Sequence, residues 1–146
     1  MTTGLPVFDT TVQQTNRWLG RVQAMLPDAS RQDAYAALRA VLHALRDRLP
    51  LSAVLGFSAQ TPMLLRGMFL EGWRPDLAPV DAGEAADFCA DVAKRLPSGF
   101  DHSADAAVTA VFAVLTDRLD PGETDRIIRL LPGSLGRYWP VDYRVA

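Results

Sequence analysis

The chain has 146 residues, of which 49% are hydrophobic, 22% charged and 8% aromatic, and its 15 basic and 17 acidic side chains leave a net charge of −2. This is the make-up of a folded domain rather than a disordered tail. The balance of charge provides no overall positive field to gather nucleic acid. One cysteine and two histidines exclude a disulfide framework and a cysteine-only metal centre.

No apolar run reaches the roughly 18 to 20 residues of a membrane span, and the first residues lack the basic start and apolar stretch of a secretory signal. A cytoplasmic protein held together by packing is expected, with no cofactor and with neither nucleic acid nor membrane as a partner. Fourteen of the fifteen basic residues are arginine, a bias that a GC-rich genome explains without special guanidinium chemistry.

In chain order, apolar periodicity and proline punctuation predict helices over about residues 10–26, 30–49, 52–60 and 62–71, then 81–96, 103–119 and 121–131, with a short turn over 133–139. Tyr35, Leu38, Leu42, Leu45 and Leu49 recur at steps of three and four along one face, and Asp105, Val108, Phe112, Leu115 and Leu119 repeat those steps. Ser30 with Asp33 and Asp81 with Glu84 have capping-box spacing, and Asp120-Pro121-Gly122-Glu123 sets a cap, a first-turn proline and a first-turn acid in order.

Sliding the chain against itself reveals an echo at a shift of seventy residues. Ala36, Ala37, Ala40, Val41, Leu45, Asp47, Arg48 and Leu49 fall on Ala106, Ala107, Ala110, Val111, Leu115, Asp117, Arg118 and Leu119, and Pro62 and Leu65 on Pro132 and Leu135. Trp18 falls on Phe88, Leu42 on Phe112 and Phe69 on Trp139. The expected fold is therefore all-α, with about eight helices in two tandem four-helix units in pseudo-twofold packing. Residues 8–73 form the first unit, 74–80 a proline-containing linker and 81–140 the second, together one compact domain. The charge divides unevenly, +2 over residues 1–73 and −4 over 74–146.

No glycine-rich phosphate loop, nucleophile elbow or zinc-binding histidine pair is present. His43, between Arg39 and Asp47 on one helix stripe, reads as an exposed, ion-paired histidine. His102 belongs to a polar helix start, Glu84, Asp87 and Asp91 form a solvated acidic face, and Cys89 is a small core residue. The recurrent Asp47 and Asp117 oppose a helix dipole. They call for a partner such as the next helix N-terminus or an arginine of the other unit.

Ser58, Gln60 and Thr61 stand where the second unit has Ile128, Leu130 and Leu131. With Tyr35 they mark either a ligand cleft between the units or a solvent-exposed face. The apolar stretch Met63 to Trp73, with Met63, Met68, Phe69 and Trp73, is either covered internally or forms an interface to a protein partner or a weakly associated second copy.

Phe8-Asp9, the run Ala37 to Leu49, Ala59-Gln60-Thr61-Pro62-Met63-Leu64-Leu65-Arg66-Gly67 and Glu71-Gly72-Trp73 together resemble the bacterial family catalogued as domain of unknown function 2267. The resemblance extends over nearly the whole chain. It departs at Thr61, where a leucine is expected, and in the weakly charged loop Leu51 to Phe57. It implies a helical bacterial protein of this length and supplies no activity, substrate or catalytic residue. The residues thus point to a non-enzymatic interaction protein, with a small-molecule binder or small enzyme using the interunit cleft as the alternative.

Overall fold

The computed structural model describes residues 2–143, and among them the only regular elements are helical. They are α1 (Pro6–Met25), α2 (Arg31–Arg48), α3 (Leu51–Ala59), α4 (Met63–Leu70), α5 (Ala85–Arg95), α6 (Ala104–Arg118) and α7 (Pro121–Leu130), followed by 3-10 turns at Gly133–Tyr138 and Val141–Tyr143. Among the described residues no helix is long and apolar enough to cross a membrane.

Side-chain caps mark the starts of α2, α5 and α6. At α2 the Ser30 hydroxyl accepts from the Asp33 amide at 3.0 Å, while the Asp33 carboxylate accepts from the Ser30 amide at 3.1 Å, so two orphan donors are satisfied at once. Ser103 does the same one-sidedly for α6, accepting from the Ala106 amide at 3.0 Å. Asp120 precedes a proline at the first position of α7, where the missing N–H costs nothing.

Two starts differ from the sequence expectation. Helix α1 begins at Pro6, not near residue 10, because a proline with pre-set φ follows the extended Leu5. Helix α5 begins at Ala85, not 81. The Asp87 carboxylate takes the Glu84 amide at 2.8 Å, so the cap is Glu84 and its partner Asp87, whereas Asp81 closes a small turn onto the Gly83 amide. Gly83 has φ +62, and a Cβ there would lie 2.5 Å from Asp87 Oδ2; only glycine admits this approach. The irregular stretch from Glu71 to Glu84 is accordingly longer than the expected linker, and the Val80 amide ties it to the Asp47 carbonyl at 2.8 Å.

Helix α2 lies at the centre, packed by α1, α4, α5 and α6, while α6 also meets α1, α5, α7 and the Gly133–Tyr138 turn, and α3 meets α4 and α7. Aromatic rings fill the spaces between helices. Phe112 stacks on Trp139 with centroids 4.0 Å apart, Phe57 leans on Phe69 at 4.6 Å, and Phe88 meets Phe112 at 5.9 Å. Leu42, Leu45, Phe112 and Leu115 have no exposed surface. Truncating any of them to Ala is expected to cost about 2–5 kcal/mol, the sum of lost burial and an unfilled cavity. Chemical denaturation checks this, and losses below about 1 kcal/mol for all four would contradict the assignment.

Candidate functional site

Three basic side chains on α2 fix the helices around it. Helix α4 ends with carbonyls that have no intrahelical donor, and α2 supplies those donors from positions one turn apart. His43 Nε2 lies 2.8 Å from the Met68 carbonyl, and Arg46 Nη1 donates to the carbonyls of Phe69 and Glu71 at 3.0 and 2.8 Å. A cationic donor at a helix C-terminus also answers the helix dipole. Arg39 adds a pair with Glu71 at 2.6 Å at the same end, and at the other end of α4 Thr11 of α1 accepts from the Leu64 amide at 2.8 Å. Helix α4 is thus pinned to α1 at its start and to α2 at its finish.

This corrects the sequence reading of His43. The residue is only 7% exposed, and its ring meets a backbone carbonyl rather than an acid. Asp47 turns instead to Arg46 at 2.9 Å and to Arg95 of α5 at 2.8 Å.

Between the pinned helices an open, largely apolar groove of about 740 Å³ remains, walled by Phe8, Val12 and Leu19 of α1, Leu38 of α2, and Leu64 and Met68 of α4. Tyr35, Arg39 and Glu71 supply polar groups to its lining. Met63, Leu64 and Phe8 are 51%, 49% and 45% exposed, an apolar concentration that no element among the described residues covers. The four residues read as either internally covered or an interface are split. Met63 and Met68 line the groove, Phe69 is fully buried against Phe57, and Trp73 is half-buried with an enclosed indole N–H that finds no acceptor among the described residues.

The expected ligand cleft divides too. Tyr35 lines the groove just described, whereas Gln60 and Thr61 line a separate, polar cleft of about 300 Å³ between α1, the α3–α4 turn and the end of α6. Ser58 and Thr61 are buried and spend their hydroxyls locally, Ser58 donating to the Leu55 carbonyl at 2.9 Å and Thr61 to that of Ser58 at 2.7 Å. Arg66 closes the same turn by donating to the carbonyls of Ser58 and Thr61 at 2.7 and 2.8 Å. The polar substitutions at 58 and 61 therefore build a turn. Gln60 alone is exposed, and its side-chain oxygen accepts the Asp120 amide at 2.9 Å.

The paired aspartates find arginines across the fold. Asp117 meets Arg21 of α1 at 2.7 Å, and Asp47 meets Arg95 of α5. Arg95 also holds Asp91 at 3.0 Å, and Asp91 accepts from the buried Arg48 at 2.7 Å. Burial opposes ionisation of Asp91, but the hydrogen bonds from Arg95 and Arg48 outweigh it and hold its carboxyl below the ordinary carboxylate range. Asp91 is therefore not part of a solvated acidic face. Glu84 and Asp87 are engaged in capping, Ser103 caps α6 in the polar start that also holds His102, and Cys89 is buried, which raises its thiol pKa. Sequence reasoning missed the burial of Arg46 and Arg48 and the turn-closing role of Arg66. Their one signal was a position within an apolar, alanine-rich helix or beside a turn rich in unpaired carbonyls.

A family model described as "Uncharacterized conserved protein (DUF2267)" matches residues 15–138. No curated protein matches the chain.

Burial lowers the pKa of His43 from 6.5, the Met68 carbonyl opposes this, and the guanidiniums of Arg46, Arg39 and Arg95 add to it. The folded ring stays neutral where the unfolded chain already binds a proton. Its contribution is therefore complete above pH 6.5 and lost as pH falls from there through the folded-state pKa. Melting temperatures measured from about pH 7.5 to 5 should fall for the native chain and fall less for His43→Gln, which keeps a donor but does not titrate. Identical slopes would contradict a buried neutral imidazole.

Proposed function

The chain belongs to the DUF2267 family, and from that premise we propose that it is a non-enzymatic helical interaction protein of the bacterial cytoplasm. Its α1/α2/α4 groove receives an apolar face of a protein partner, in the manner of an amphipathic helix laid into a groove. The observation that carries this reading is the exposed cluster of Phe8, Met63 and Leu64 beside a groove whose walls are held in place from both ends. Unbranched methionines adapt to the shape of what they meet, and a soluble chain gains nothing from an apolar cluster left in water. A weakly associating second copy is the narrower version of the same reading.

We also propose that the two halves are tandem units in a pseudo-twofold relation. Helices α2 and α6 end at Arg48 and Arg118, and α3 and α7 begin at Leu51 and Pro121. Helix α1 packs on α6 as α5 packs on α2, and α2 meets α6 as α3 meets α7. These pairings support the proposal, being those an exchange of halves would produce.

Met63→Asp and Leu64→Asp should leave stability within about 0.5 kcal/mol, since both side chains face water. Both should abolish whatever the native chain captures from a native lysate, or whatever self-association light scattering detects. Leu77→Asp, at a 65% exposed residue outside the groove lining, should preserve it. Capture that survives both groove variants would contradict the assignment.

A further inference from the structure

We propose that the polar cleft between the two halves binds the phosphate group of a small molecule, with Arg17 and Arg118 as its charge partners. The site shares no lining residue with the apolar groove, and it stands whether or not the groove receives a protein.

The cleft collects donors from three elements. Gln14 and Arg17 lie one turn apart on α1 and so share a face, Gln60 follows α3, and Arg118 ends α6. Among the described residues no carboxylate lines it. Arg17 forms no ion pair among them, and Arg118 lies 3.7 Å from Asp117, whose carboxylate is bonded to Arg21 at 2.7 Å. Arg66, on the adjoining surface with Gln14 and Thr61, spends its guanidinium on neutral carbonyls, which leave its charge uncompensated. A small opening thus carries an excess of guanidinium charge.

The turn that presents Gln60 is rigidly tied. Arg66 fixes its carbonyls, and the Asp120 amide fixes the Gln60 oxygen, leaving the side-chain NH2 available as a donor. Donors held in place before binding lose little freedom on binding.

The seventy-residue register adds an independent observation. In the other half, Gln14 becomes Glu84, Arg17 becomes Asp87, and Gln60 and Thr61 become Leu130 and Leu131. The counterpart of Arg118 is Arg48, which is consumed by Asp91. The corresponding positions carry acidic and apolar residues, so the echo does not reproduce the basic cluster in the other half. Two guanidinium forks match the oxygens of a phosphate dianion. At about 300 Å³ the cleft holds that group with a small organic remainder.

Calorimetric titration of the full chain at low ionic strength with inorganic phosphate, glycerol phosphate and succinate tests this. Both phosphate probes should bind saturably at one site per chain, with succinate at least tenfold weaker. Tighter binding of the ester than of inorganic phosphate would identify a phosphorylated metabolite, and the reverse order free phosphate. Arg17→Gln and Arg118→Gln should each weaken phosphate binding roughly tenfold, the loss of one charge-assisted contact. Arg74→Gln, at an exposed arginine paired with Asp76, should not. Circular dichroism verifies that the variants are folded. No saturable binding of either phosphate, affinity undiminished in Arg17→Gln and Arg118→Gln, or equal binding of succinate would overturn the proposal.

Discussion

The burial of α2 is the constraint from which the arrangement of its neighbours follows. A helix surrounded by α1, α4, α5 and α6 can be apolar throughout, yet this one carries His43, Arg46 and Arg48 into the interior. Each must find an acceptor, because an unpaired buried N–H of the neutral His43 ring is costly and an unpaired buried guanidinium costs several kcal/mol. His43 and Arg46 find theirs in the last carbonyls of α4, and Arg48 in the Ala44 carbonyl and Asp91 of α5. Apolar packing alone would hold these helices loosely in angle and register. The directional bonds select one placement of α4 and tie α5 to the same helix.

The same requirement distinguishes the two halves of a sequence that otherwise echoes itself. Where the first half has His43, Arg46 and Arg66, the second has Ala113, Thr116 and Gly136. Phe112 stacks on Trp139 there, and in the seventy-residue register of the sequence the 3-10 turn Gly133–Tyr138 falls on the residues of α4. In the first half α4 is a full helix tied to α1 at its start and to α2 at its finish, and the apolar groove lies among the three helices. The groove and the polar cleft thus both arise where the first half departs from the second.

The sequence made the helical periods, the Ser30–Asp33 box, the Asp120-Pro121 start and the buried stripe through Leu42, Leu45, Phe112 and Leu115 legible, because each rests on neighbours within one or two turns. The need of Asp47 and Asp117 for arginines could be inferred from the dipole they oppose, and Arg95 and Arg21 supply them. The burial of His43, Arg46 and Arg48 could not be inferred. Residues three and five apart inside a leucine and alanine stripe look like an ordinary polar edge until another helix arrives. Likewise Asp81, Glu84 and Asp87 all have capping spacing, and the tight turn at Gly83 decides among them. The division of Tyr35 from Gln60 between two separate openings depends on how α1 crosses α2 and α4, which no local pattern encodes.

Amide hydrogen exchange on Arg46→Leu tests the central role of α2 most directly, since the replacement keeps the volume apolar while stripping the donors from Phe69 and Glu71. If Arg46 positions α4, the amides of Met63–Leu70 should lose protection well beyond those of α6. Global stability should drop by about 3 kcal/mol, the order expected when a buried charged partner is removed. Protection of α4 equal to that in the native chain would show that apolar packing alone places it, and would contradict the account.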